Sequence, residues 1–545
     1  MSDTGVSGPR WRLDDGRLLF DDEPALLLGG QVHNSSSSSA ASIVRSFQRT
    51  RDLGANTVIA PVCWDLTEAE EGEFDFALVD AILAEADRND LRVVLLWFGA
   101  FKNAASTYAP RWVRADAARF PRAEVGAHDR APFTYEGATH KPVLSVFSPA
   151  LRESDGRAFE RFVRFVADHP LRDRVALIQV ENEVGLLADS RDRSAPAEDA
   201  WSAPVPAEMI SFMDGSADDS ITRRLWEAQG SPSQGTWREM LGDDWQADEV
   251  FMAWAFSTYV ESLAARAVPI WGVPLFVNAW LGPQPGQDRA GTYPSGGPGV
   301  RVLDVWRAGA PSIAMLSPDI YVDEAAPVVE AYSASGATLF VPECRPRVAD
   351  IATSLAAGAV GWSAFGVEDL RVGSQVSQLL GQLTQLEPAL TRAQREGALV
   401  AIVLADGVES ERLLLGDVEV VARGTRALFS RMLLDAGVAH PAAAPALPAE
   451  TDQDAAVASP HDTRPFGLIV AEGEDSFLVI GQGLTLDFFR EGRVVELDSI
   501  VEGRFVGGAW VAGRSLNGDE RLQVLPLDEV GAVRIRLVTV EGLAV

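Results

Sequence analysis

Residues 176–185 read ALIQVENEVG, an apolar run that closes on Glu181, Asn182 and Glu183. A second apolar run, ATLFVPEC at 337–344, carries Glu343 near its end. Two carboxyls at the ends of two strands can divide acid and base work across one glycosidic bond. One gives a proton to the leaving oxygen. The other attacks the anomeric carbon, or activates water if the pair stands wider apart. A lone glutamate at a strand end is ordinarily solvated or caps a helix. The pair together points to chemistry.

Alternation along each run says where these side chains should point. Leu177, Gln179, Glu181 and Glu183 share one face of the first run, and Ala176, Ile178 and Val180 share the other. Glu183 is therefore expected at the rim, with Glu181 one layer lower as a hydrogen-bonding support. Asn182 is expected to turn away unless the strand ends or bulges there, as strands often do beside active sites. In the second run Leu339, Val341 and Glu343 share a parity, so Glu343 is expected at the rim too.

These strands belong to a longer alternation. Apolar runs near residues 25, 57, 92, 175, 274, 312, 338 and 359 are separated by amphipathic stretches. FERFVRFVADHP, for example, sets Phe159, Phe162, Val163 and Val166 on one helical face. Eight strands alternating with helices predict an α/β fold closed into a (β/α)8 TIM barrel over residues 1–395, with a long insertion at 186–248. GGQVHNSSSSS after the first strand is not the glycine-rich phosphate turn that an open dinucleotide-binding sheet would want. Residues 396–545 read as a β-rich accessory domain. It contains a Pro/Ala-rich linker at 441–465 and hairpin turns at Gly507-Gly508 and Asn517-Gly518.

Catalytic residues of such barrels sit at the C-terminal ends of the strands. The ends offer His33 and Asn34, Trp64 and Asp65, Trp97, the 181–183 triplet, Asn278 and Trp280, Asp319 and Tyr321, Glu343, and Trp362. Carboxylates, amides and flat rings with few cations suit a sugar, whose hydroxyls take hydrogen bonds and whose apolar face lies on a ring.

Composition narrows the classes. The 545 residues carry a net charge of −31, which argues against a nucleic-acid surface. Two cysteines exclude a disulfide framework, and six histidines show no HExxH-like spacing, so no metal or other cofactor is expected. The first residues lack the basic and apolar regions of a signal peptide, and no apolar run is long enough to span a membrane. A cytoplasmic protein is the default expectation. Self-association into a homo-oligomer is left open.

IQVENEVG is very similar to the IQVENEYG motif of glycoside hydrolase family 35, the β-galactosidases, with Val184 where the motif has Tyr. ANTVIAPVCWDLTEAEEGEFDFALVD, WFGAFKNAASTYAPRWV, FVNAWLG, GTYPSGGPG, LSPDIYV and LFVPECR continue the likeness in order. They resemble a bacterial branch of that family that is also similar to family 42. FLVIGQGLTLDF and SLNGDERLQV resemble an uncharacterised C-terminal domain of the branch. The resemblance implies a retaining exo-β-galactosidase acting on small oligosaccharides. Glu183 would be the acid/base, Glu343 the nucleophile, and Asn182 a ligand of the sugar 2-hydroxyl. Tyr321, Trp64, Trp97, Asn278, Trp362 and His33 would line the site. The alternatives are a β-glucosidase or α-L-arabinopyranosidase of the same clan, or a barrel that binds sugar without turnover.

Overall fold

The computed structural model describes residues 9–102, 108–126, 143–334, 336, 338–438 and 462–540. A three-stranded antiparallel sheet (Trp11–Asp14, Arg17–Phe20, Glu23–Pro24) leads into the barrel. The barrel strands are β1 (Leu27–Gln31), β2 (Thr57–Cys63), β3 (Arg92–Lys102), β4 (Val175–Asn182), β5 (Leu275–Trp280), β6 (Met315–Ile320), β7 (Glu343–Cys344) and β8 (Gly361–Phe365). They run parallel in the order β7-β6-β5-β4-β3-β2-β1-β8. The barrel closes just before β7, where Val360 N–H donates to Leu339 O and Ser363 N–H donates to Val341 O, each within 2.9 Å. The eight strands fall where the apolar runs predicted them.

Two apolar layers result. Leu27, Ile59, Val94, Leu96, Phe98, Leu177, Phe276, Met315 and Phe340 fill the barrel interior. Leu28, Val58, Ala60, Val93, Leu95, Ile178, Val180 and Val277 face the helices. Both faces of each strand are thus buried, as parallel sheets require.

Local signals set the helices that matter for the site. α1 (Ala40–Asp52) starts at Ser39, whose side chain accepts from Ser42 N–H. α2 (Pro149–Asp168) starts at Ser148 with Pro149 in its first turn and buries Phe159, Phe162, Val163 and Val166. Asp155 lies on that same buried face, fully enclosed. α3 (Trp245–Ala267) is capped by Asp244, which accepts from Gln246 and Ala247 N–H. Between β4 and α3 the chain forms the short helices Ala195–Ser202, Ala207–Gly215, Ile221–Ala228 and Trp237–Leu241.

Beyond the barrel, a six-stranded sheet and a three-stranded sheet share their own apolar core, including Val420, Ile469, Val479, Leu484 and Ile535. Residues 441–461 of the Pro/Ala-rich stretch lie outside the described residues. The last residues of that stretch tie the sheets to the barrel. Arg464 donates to Asp462 and to Asp350 of α4 (Val348–Ala356), each at 3.0 Å, and Asp462 accepts from Ala349 N–H. Burial pushes Asp350 up to about 6 against the pull of Arg464. Among the described residues no helix is long and apolar enough to cross a membrane.

Candidate active site

The rim of the barrel gathers three carboxyls from three strand ends. Glu183 follows β4, Asp319 closes β6 and Glu343 opens β7 beside it in register. All three are buried, and one oxygen of each lies within 4.8 Å of the others. That spacing would suit a cation, and the cation beside them is the Lys102 ammonium at the end of β3. Its Nζ lies 2.6 Å from Glu183 Oε2. Burial alone would lower the Lys102 pKa, but the charges of Glu183, Glu343 and Asp319 hold it above its ordinary value.

Each carboxyl has a built environment. Glu343 accepts from the Tyr321 hydroxyl at 2.7 Å and from Gln31 Nε2 at 3.0 Å. Burial, then the Glu183 charge, push it up to about 7, while Lys102, Tyr321 and Gln31 hold it down. Asn278 of β5 accepts from Glu183 N–H at 2.8 Å and donates to Asp319 Oδ2 at 2.6 Å. Burial, then Glu343 and Glu183, hold the Asp319 carboxyl well above the usual carboxylate range. The Asn182 side chain is fully buried, and neither its oxygen nor its nitrogen has a partner among the described residues. Such an amide is costly unless something else hydrogen-bonds it.

The backbone explains why strict alternation fails here. Glu181 and Glu183 both adopt positive φ, at 60° and 45°. Side chains with a Cβ rarely take that conformation, and where they do the surroundings must hold it. Glu181 accordingly does not lie one layer down inside the barrel. Its carboxyl leaves toward β3 and α2, where it accepts from Ala100 and Phe101 N–H, both at 3.0 Å. There it meets Asp155, which accepts from Trp97 Nε1 at 3.0 Å and from the Tyr259 hydroxyl of α3 at 2.8 Å. Burial, then Asp155, raise Glu181 well above its ordinary value, and Asp155 is raised as well, so the pair shares a proton. A Cβ at Gly99 would stand 2.6 Å from Glu181 and 2.7 Å from Asp155. This dyad ties the end of β4 to the two residues before Lys102, and Lys102 reaches back to Glu183. Glu181→Ala should leave the buried Phe101 N–H unpaired, leave the Ala100 N–H only its longer bond to Asp155 at 3.3 Å, and lower stability by about 1–3 kcal/mol, read as a shift in the urea midpoint. Glu181→Gln should lose less.

Glu343 reaches the rim, but not by the expected parity. Phe340 is the interior residue of this segment, and Leu339 and Val341 pack against the helices. The ladder between Val341 and Trp362 is an isolated bridge, and regular pairing with β6 begins only at Glu343, after Pro342. The chain resets its facing there.

The indoles expected on the wall are not on it. Trp64 opens a one-turn helix after β2, is fully buried, donates to Glu68 at 2.7 Å and meets Trp112 edge-on. Trp97 shares the outward parity of Val93 and Leu95 and packs on Phe159 and Phe162. Trp362 is paired with Leu28 and, like it, is buried in the helix-facing layer. Phe365 instead pairs with Gln31 at the mouth. His33 stands there as well, edge-on to Phe365 and 2.6 Å from Asp369, with no contact to the three carboxyls among the described bonds. Tyr321 and Asn278 do join the cluster. Gln31, Lys102 and Asp155 were not foreseen. Asp319 was noted at its strand end without a role.

Residues 34–211 match the model of glycoside hydrolase family 42, described as Beta-galactosidase. The matched stretch includes Asn182 and Glu183. The match falls on family 42, not on the family 35 whose motif the sequence resembles. Residues 376–527 match a domain of unknown function (DUF5597), in the region expected to hold an uncharacterised C-terminal domain. The chain is 35% identical over 95 residues to a β-galactosidase of Xanthomonas manihotis, a stretch covering 17% of this chain and 16% of that enzyme. Among solved structures it is similar to the β-galactosidase of Bacillus circulans sp. alkalophilus. That pair is 11% identical with a TM-score of 0.49, over 94% of this chain and 99% of the other. It is also similar to that of Halorubrum lacusprofundi, 17% identical with a TM-score of 0.39, over 62% of this chain and 52% of the other.

Proposed function

We propose that the protein is a retaining, exo-acting β-galactosidase that hydrolyses terminal β-galactosyl residues of small oligosaccharides by double displacement. The observation that carries this reading is the closeness of Glu183 and Glu343, with oxygens within 4.8 Å at the rim. An inverting pair needs carboxyls roughly 6.5–9.5 Å apart to seat a water, whereas a retaining pair stands at about 5–5.5 Å. Glu343 attacks the anomeric carbon, steadied by Tyr321 and Gln31. Glu183 protonates the departing oxygen and later deprotonates water. Asn182 supplies an unspent amide to the sugar 2-hydroxyl. The choice of galactose rests on the family 42 match. The β-rich C-terminal part serves as an accessory domain.

A panel of nitrophenyl glycosides tests this. Release from the β-galactoside above all others is expected. Release from another β-glycoside would keep the mechanism and change the sugar, and sugar binding with no release would overturn the enzyme reading.

The raised Glu343 pKa sets the pH dependence. Below about 7 this carboxyl is neutral and cannot attack, so kcat/KM should rise with pH through that value. Lys102 holds Glu343 down. Lys102→Met should therefore move the acid limb to higher pH. A limb that stays in place or moves down would contradict the arrangement.

A further inference from the structure

A glycosidase must hold the departing group as well as the galactosyl ring. We propose that Trp280 does this, its indole being the platform on which a leaving sugar, a neutral hexopyranose, lies. This rests on the β-galactosidase reading above and names the leaving-group class of that same site.

Alternation along β5 places the ring. Phe276 fills the barrel interior, and Asn278, on the same face, meets both Glu183 and Asp319. Trp280 is the next residue on that face, about 6–7 Å farther out. Ala279, between them, packs in the helix-facing layer. In the ladder with β6, Trp280 stands level with Asp319. Trp64, Trp97 and Trp362 are fully buried, whereas Trp280 is partly exposed.

The partners say which side of the scissile bond the ring serves. Glu343 attacks the anomeric carbon from one face, and Glu183 meets the leaving oxygen on the other. The departing group therefore lies on the Glu183 side. Tyr321 donates its hydroxyl to Glu343, so its ring, 37% exposed, belongs to the nucleophile side of the mouth. Asn278 accepts from Glu183 N–H at 2.8 Å, so Trp280, one step beyond Asn278, belongs to the acid/base side.

The loop after Trp280 is built to hold it. Trp280 Nε1 donates to Gln287 Oε1 at 3.4 Å, and Gln284 and Gln287 exchange backbone bonds of 2.9 and 2.8 Å. Tyr293 closes on the start of the loop. A Cβ at Gly282 would stand 2.1 Å from its ring, and its hydroxyl donates to Glu249 of α3 at 2.7 Å. Ser295 then exchanges both backbone bonds with Leu186, just after Glu183. The loop that follows the indole is thus tied to the segment that carries the acid/base.

The ligand class follows from the surroundings. An indole offers a flat apolar face, and a pyranose covers it with the C–H groups of one of its own faces. Glu183, Asp319 and Glu343 gather beside it, and the chain carries a net charge of −31. A leaving group with its own carboxylate would be repelled. A neutral sugar fits, and a methyl group is too small to cover the ring.

The test compares wild type and Trp280→Ala on methyl β-galactoside and on β-galactosyl-glucose disaccharides of different linkage. Wild type should reach its highest kcat/KM on one of the disaccharides. In Trp280→Ala, the ratio of kcat/KM on that disaccharide to kcat/KM on the methyl galactoside should fall at least about tenfold. Trp280→Phe, with a smaller ring, should recover part of the ratio. A ratio that does not move in Trp280→Ala, whether both substrates suffer or neither does, would take Trp280 off the leaving group and overturn the proposal. A wild type that prefers the methyl galactoside to every disaccharide would overturn it too. If Trp280→Ala lacks the wild-type circular dichroism spectrum, Trp280→Leu takes its place with the same expected fall. Wild type inactive on all of these substrates would overturn the β-galactosidase reading itself, a result distinct from either of these.

Discussion

Glu343→Gln should lose at least about four orders of magnitude in kcat on every β-galactoside, activated aryl substrates included. The amide is isosteric and can still meet Tyr321 and Gln31, which touch Glu343 at 2.7 and 3.0 Å. The fold should therefore survive, and the loss should be chemical. Glutamine is too weak a nucleophile to form the covalent intermediate, and it fills the space that a small anion would need. Azide should not restore turnover. Full activity in the variant, with an unchanged melting temperature, would remove Glu343 from the mechanism.

Glu183→Ala should behave differently. Substrates with poor leaving groups should lose about 10²–10⁴-fold, because general acid assistance is worth that much. A dinitrophenyl galactoside still forms the glycosyl enzyme on Glu343, and hydrolysis of that ester then becomes slow. Azide should enter the space left by Glu183 and attack the ester from the face that water uses. Partial rescue is expected, with a galactosyl azide of retained configuration as the product. An azide of inverted configuration would exchange the roles of the two glutamates. The variant also removes the carboxyl 2.6 Å from the Lys102 ammonium, which is nine-tenths buried. A few degrees of lost stability should accompany the kinetic effect.

Strand order was legible because it depends only on where apolar runs begin and end. Facing was harder to read. With both faces of β3 and β8 buried, apolar residues sit on both faces, and parity gives little contrast. Trp97 and Trp362 could be assigned to either layer, and the helix layer took both. Glu343 was placed at the rim from a regular alternation that Pro342 interrupts. The 181–183 triplet was legible as a carboxylate-rich strand end. Its facing was not, because two glutamates in the left-handed region have no sequence signal of their own.

Two unforeseen residues did leave traces. Asp155 sits at 155 on a helix whose buried face continues with Phe159, Phe162 and Val166. An acid on an apolar stripe is out of place unless it has buried partners. Lys102 is one of only two lysines in a chain whose other 45 basic residues are arginine. A compact ammonium with three donors serves a tight group of carboxyls better than a planar guanidinium does.

The pairing of nucleophile and acid/base is tested most directly by trapping the intermediate. The protein would be inactivated with 2,4-dinitrophenyl 2-deoxy-2-fluoro-β-galactoside, digested with pepsin, and the labelled peptide sequenced by mass spectrometry. The expected result is one fluorogalactosyl group per chain, esterified to Glu343. A label on Glu183 or Asp319, or turnover that yields the inverted sugar with no label at all, would contradict it.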